Sequence, residues 1–226
     1  LMERLNQEGY QLIIGSNDFD LTAEERLVKA FMSRQVDAMV LTGRNRSPTT
    51  ERILKGSNIP VVELWTHGRK DGVVTVGFSN FDASYAMVQR LVERGYRELG
   101  FVSAPVGDND RALARREGYL AAVRDFDLNL DPARVLTSPF ALEAGGSMLR
   151  AILEAVPGTD AVFFANDTLA AGAILEANRS GLDVPGRVAI AGFDDLEIAG
   201  QLTPASTTVQ VPRRELGWEA GSRLLE

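Results

Sequence analysis

The sequence contains no cysteine, which excludes disulfides, thiolate nucleophiles and cysteine-based zinc sites. It has one histidine, His67, in the loop THGRKDG (66–72). No acid or nucleophile stands beside it in a pattern suited to acid–base catalysis. No apolar run approaches the ~18 residues needed to cross a bilayer. Residues 1–15 do not read as a secretion signal, because Glu3, Arg4, Asn6 and Gln7 interrupt the apolar stretch. Basic charge is in deficit: 24 Lys and Arg stand against 31 Asp and Glu, a formal net charge of −7. The overall field of such a body does not draw it to phosphate backbones. GxSxG, a Walker lysine loop and HExxH are all missing, and the acidic residues have no metal-loop spacing. No catalytic centre, cofactor or metal site is expected.

What is present is a core-forming pattern. The chain has 226 residues, of which 45% are hydrophobic. That is enough for one large domain or two small ones, and too apolar for disorder. Strand-like apolar runs recur at 11–15 (QLIIG), 37–42, 60–64, 73–77, 99–103, 161–165, 187–193 and 206–211, with a shorter piece near 135–138. Helix patterns lie between most of them. Thr22-x-x-Glu25 reads as a capping box ahead of Leu27, Val28, Phe31 and Met32. Phe81, Tyr85, Val88, Leu91 and Val92 form another stripe, closed by Gly95. Asp167 is placed to cap a helix over 168–180 that stops at Gly181. Strands that are apolar throughout are buried on both faces, as in parallel sheets flanked by helices. The alternation predicts an α/β, doubly wound fold. The chain opens on what reads as the second half of a helix and closes inside another, so flanking sequence is expected beyond both ends.

In such sheets ligands sit at the carboxyl ends of the strands. Two stretches are alike there. VFFANDTLAAG (162–172) turns polar at Asn166 and Asp167, and VAIAGFDD (188–195) turns polar at Asp194 and Asp195. Thr42, Trp65 and Phe78 close three earlier strands. Arg111 and Arg115 follow the run 99–103, and Phe140 follows the piece near 135–138. This mixture suits a sugar: planar polar groups bridge adjacent hydroxyls, rings cover C–H faces, and arginine grips a carboxylate or phosphate. Each residue also has a structural role open to it. Asn166 and Asp167 can be helix caps, Arg115 beside Arg116 a solvated helix face, Trp65 and Phe78 core, and Asp194 a turn former. Asp194 and Asp195 as a catalytic carboxylate pair is disfavoured, because adjacent side chains diverge.

The stretches RALARREGYLAAV (111–123) and VFFANDTLAAGAILEANRSGLDVPGRVAIAGFDDLEIAGQLTPASTTVQVPRRELG (162–217) resemble the effector-binding body of the lactose/galactose repressor (LacI/GalR) family of bacterial transcription regulators. The most specific parts are the AND strand end, the VP-x-x-VAIAGFDD run and the TP-x-x-TTV segment. The resemblance covers nearly the whole chain. It implies a type I periplasmic-binding-protein-like fold: two doubly wound parallel-sheet subdomains around a ligand cleft, crossed three times by the chain. The expected division is 1–79 plus 212–226 for one subdomain, incomplete here, and 80–211 for the other. It also implies roles. Arg115 matches the family's effector-binding arginine, and Asn166 and Asp194 match polar contacts in the same subdomain. Phe140 matches a ring over one ligand face. Thr42, Trp65 and Phe78 match cleft-facing strand ends of the other subdomain, and Arg111 stands where relatives place a smaller polar contact. The family's helix-turn-helix head, its hinge helix, and the first and last strands of the body do not fall within this stretch.

VVELW and VGFSNFDASYAM look most like the gluconate-responsive branch, and two arginines near one cleft agree with an anionic sugar-sized ligand. The expected partners are a sugar or sugar acid, a second copy of the chain, and operator DNA through the head alone. The expected location is cytoplasmic. The alternative is a periplasmic sugar-binding protein of a transport system.

Overall fold

The structure, a computed structural model, describes residues 1–68 and 73–226. The chain resolves into two compact units. One comprises Leu1–Ser79, Gly107–Arg111 and Pro212–Glu226, and the other Asn80–Val106 and Ala112–Val211. In chain order the elements begin with α1 (Met2–Asn6), α2 (Leu21–Ser33), β1 (Met39–Thr42), α3 (Pro48–Gly56), β2 (Val61–Leu64), β3 (Val74–Val76), α4 (Asn80–Glu93), β4 (Leu99–Ser103) and α5 (Asp110–Asp125). They continue with β5 (Val135–Thr137), α6 (Leu142–Ala155), β6 (Ala161–Phe164), α7 (Asp167–Ser180), β7 (Ala189–Asp194), α8 (Glu197–Gln201), β8 (Thr207–Gln210) and α9 (Arg213–Leu224).

In the first unit the described strands pair in the order β1-β2-β3, all parallel. Val28, Met39 and Leu41 are buried on one side of this sheet, against Phe31 and Val36 among others. Val62, Val76 and Ala220 are buried in a second cluster, so α9 closes a core of its own against β2 and β3. The run 11–15 was expected as a strand and is not one. It lies outside both ladders, and Ile14 is 75% exposed. A strand needs an edge to pair with, and among the described residues no ladder reaches this run.

In the second unit five parallel strands run in the order β5-β4-β6-β7-β8. Every residue of β4 and β6 is buried, as expected of strands covered by helices on both faces. Val102, Val162, Phe164 and Ile190 pack with Leu149, Ile152, Leu169 and Ile174 from α6 and α7. On the other face Phe101 stacks on Tyr119 of α5 at 4.7 Å and meets Phe163 edge-on at 5.5 Å. Helices α6 and α7 touch backbone to backbone. A Cβ on Gly172 would run into the Leu142 carbonyl, and one on Gly145 into the Leu169 carbonyl.

Two helix starts differ from the sequence expectation. α2 begins at Leu21 and is capped by Asp20, whose Oδ1 accepts the Thr22 N–H at 2.7 Å. Asp20 is in the extended conformation of an N-cap, so Thr22 already lies inside the first turn and its hydroxyl does not cap the helix. Glu25 turns instead to Lys29 and Ser47. α7 begins at Asp167 and is capped by Asn166, again extended, whose Oδ1 accepts the Leu169 N–H at 2.9 Å. The stop at Gly181 is as expected, with φ +70°.

Candidate functional site

The chain leaves β4 for β5 on one side and returns to β6, β7 and β8 on the other, so the sheet's switch point lies between the carboxyl ends of β4 and β6. Arg115, on the helix after β4, reaches into this point. It is 7% exposed. Its Nε donates to Asn80 Oδ1 at 2.8 Å, and Nη1 donates to the Ala165 carbonyl just past β6 at 2.6 Å. Nη2 lies 3.3 Å from Asp194 Oδ1 at the end of β7. The guanidinium carbon sits 3.6 Å from the centroid of the Phe193 ring, a cation–π contact that fixes its plane. One side chain therefore joins the ends of two strands to the start of α4.

Asn166 follows Ala165 directly. It is 3% exposed, and its Oδ1 is spent on capping α7. Its Nδ2 is buried and donates to nothing among the described residues. A buried amide donor without a partner is costly unless a ligand or water completes it. The wall thus offers an amide donor, a carboxylate and a guanidinium edge, the set that binds adjacent hydroxyls. Phe140 stands exposed after β5 at the same carboxyl edge of the sheet.

Asp167, the neighbour of Asn166, does not face outward. It is 1% exposed, and burial pushes its carboxyl above the usual carboxylate range, while bonds from Thr208 and the Leu196 amide pull the other way. Its role escaped the sequence reading, as did that of Asn80. The signal for Asn80 was available: an asparagine opens a helix just past an apolar run, as Asn166 does.

In the first unit Thr42 is exposed at the end of β1. Trp65 and Phe78 are half-buried and meet edge-on, with centroids 6.2 Å apart. Trp65 adopts φ +65°, and its N–H donates to the Val76 carbonyl at 3.1 Å. Arg111 belongs to this unit. Its guanidinium lies 5.3 Å from the Phe19 ring and its Nε 3.7 Å from Asp110 Oδ1. Arg111 and Arg115 thus belong to different units, each beside an aspartate. His67 is exposed, and residues 69–72 of its loop lie outside the described residues. No described helix is long and apolar enough to cross a membrane.

The profile of the periplasmic binding protein-like domain matches residues 88–226. The HTH-type transcriptional regulator GntR of Pseudomonas aeruginosa is 32% identical over 222 residues, covering 98% of this chain and 64% of the relative. The protein of the same name from Escherichia coli is 31% identical over 218 residues, covering 96% and 65%. The chain thus spans slightly less than two thirds of the length of these curated relatives. Among solved structures, transcription regulator GntR from Chromobacterium violaceum superposes with a TM-score of 0.92 at 38% identity, covering 98% of this chain and 81% of that one. A LacI family transcriptional regulator from Silicibacter pomeroyi superposes with a TM-score of 0.91 at 33% identity, covering 99% and 83%. With five parallel strands whose order of addition reverses beside Arg115, and with these matches, the chain belongs to the LacI family of transcriptional regulators and carries their periplasmic binding protein-like domain.

Proposed function

We propose that this chain is the effector-sensing and dimerisation body of a bacterial transcription regulator, and that the cluster Arg115, Asn166 and Asp194 binds a sugar or sugar acid such as gluconate. The observation that carries the reading is the buried Asn166 Nδ2, without a partner among the described residues and one residue from the carbonyl that anchors Arg115. A polyhydroxylated ligand entering such a site loses its water, so each buried hydroxyl needs a fixed partner. In this reading one hydroxyl accepts from Asn166 and another donates to Asp194. By the same resemblance Thr42, Trp65, Phe78 and Arg111 of the first unit, and Phe140 of the second, are ligand contacts.

The charge of Arg115 is met by Asp194, and that of Arg111 lies beside Asp110. The preference for an acid over a neutral sugar therefore rests on the resemblance to the gluconate branch rather than on two uncompensated cations. Operator DNA is contacted through a helix-turn-helix head outside residues 1–226, in a cytoplasmic homodimer. The relatives are transcription regulators, which favours this reading over a periplasmic transport protein.

The test is calorimetric titration of D-gluconate and a panel of neutral sugars against the full-length protein, Arg115→Ala and Asp194→Ala. Binding of a panel member by the wild type, weakened in both variants, supports the site. Equal binding by all three, with folds intact, or no binding of any panel member, overturns it. Binding of neutral sugars alone removes gluconate and leaves the site.

A further inference from the structure

Beyond the residues proposed to touch ligand, Asp167 has a placement that capping does not explain. Asn166 already caps α7, yet the Asp167 carboxylate is driven into the protein at 1% exposure. Its Oδ2 accepts the Leu196 N–H at 2.7 Å, and its Oδ1 accepts the Thr208 hydroxyl at 2.6 Å. Thr208 Oγ1 in turn accepts the Asp195 N–H at 3.3 Å. A Cβ on Gly192 would strike the same carboxylate, so it rests against the backbone of β7. The two residues held beside these bonds both have positive φ. Asp194 has φ +109°, a value an L residue keeps only where its surroundings impose it, and Asp195 has φ +54°, in the left-handed region that aspartate tolerates. On the other side β8 pairs with β7 through Asp194↔Gln210.

We propose that Asp167, with Thr208 as its relay, is a positioning residue for ligand binding: it holds Asp194 and Asp195 in their positive-φ turn and so aims the Asp194 carboxylate at Arg115 and the ligand. The proposal rests on the reading of Arg115, Asn166 and Asp194 as the ligand site. Neither Asp167 nor Thr208 needs to touch ligand. The mechanism is that of any preorganised site: the strain is held by the fold before ligand arrives, so none of the binding free energy is spent on ordering the turn.

The test uses the full-length protein and D-gluconate with the neutral-sugar panel. Thr208→Val keeps the shape and deletes the hydroxyl, whereas Thr208→Ser keeps the hydroxyl. Expected are a loss of affinity of roughly tenfold for Thr208→Val and near wild-type affinity for Thr208→Ser, because the hydroxyl's two hydrogen bonds, to Asp167 and from the Asp195 N–H, are removed in the first alone. Because the effect runs through Asp194, Asp194→Ala and the double variant Asp194→Ala/Thr208→Val bind alike. Hydrogen exchange on the wild type gives a readout that does not depend on any variant folding: the amides of Asp195 and Leu196 are protected to the level of β7. Unprotected amides there overturn the proposal. So does a folded Thr208→Val that binds as wild type while Asp194→Ala does not, and so do losses that add in the double variant. Wild-type binding by Asp194→Ala itself marks a failure of the site reading, and this proposal falls with it.

Discussion

The Arg115 guanidinium lies 3.6 Å from the centre of the Phe193 ring and 3.3 Å from the Asp194 carboxylate, two consecutive residues of one strand end. The ring sets the plane of the cation and the carboxylate sets its direction. The Ala165 carbonyl and Asn80 hold the other nitrogens. A lysine has no such planar fork.

Arg115→Lys therefore removes the guanidinium bonds to Asn80 Oδ1 and the Ala165 carbonyl, which one ammonium cannot replace together. The expected cost is about 1.5–3 kcal/mol of stability, the range for a lost hydrogen bond to a charged group. Ligand affinity falls about tenfold, since the ammonium keeps the charge but cannot reproduce the planar fork that holds Asp194 and the site. Urea denaturation and calorimetry on the same preparations read the two effects.

Glu63 is 2% exposed on β2 and takes both Arg44 and Arg46, at 3.2 and 2.5 Å. Glu63→Ala strands two guanidinium groups beside one another. It should lower stability by about 3–5 kcal/mol, the range for breaking a buried ion pair from one side. The midpoint of urea unfolding reports it.

Gly172→Ala forces a methyl onto the Leu142 carbonyl, where α6 and α7 meet. Overpacking of this kind costs about 1–3 kcal/mol or more when backbone must move. Gly200→Ala is the control: nothing lies within 4 Å of its Cβ. That variant should be neutral or slightly stabilising, as helix propensity favours alanine. Parallel thermal melts decide.

Glu24, on α2, is 8% exposed, and its Oε1 has no partner among the described residues. Burial raises its carboxyl above the ordinary 4.5; Arg46 opposes the rise and Asp110 adds to it. The folded state thus holds this proton more tightly than the unfolded chain. The stabilising contribution is full below 4.5 and is lost as pH rises through the folded value. Glu24→Gln should flatten that decline, seen as a smaller drop in Tm than wild type across the same rise in pH.

Much of the fold was legible because it is written locally. Leu99–Ser103 and Ala161–Phe164 are apolar at every position, and only a strand covered on both faces uses such a run. Where the run stops, the strand stops, so Asn166 and Asp194 could be placed at strand ends from spacing alone. The same reasoning failed at 11–15. That run is as apolar as the others, but an apolar run becomes a strand only where a neighbouring edge offers hydrogen bonds, and its own residues do not carry that information.

By itself, then, the sequence determined the element types outside 11–15, the alternation that demands parallel sheets, and which polar residues stand at the carboxyl ends. Tertiary structure alone decided which of those residues meet. Asn80 and Arg115 lie 35 positions apart and share a 2.8 Å bond. Of the adjacent Asn166 and Asp167, the asparagine became the cap and the aspartate turned inward to Thr208, 41 positions away. Hydrophobic periodicity is a property of short windows, whereas the partner of a buried polar group depends on where distant segments are brought by packing.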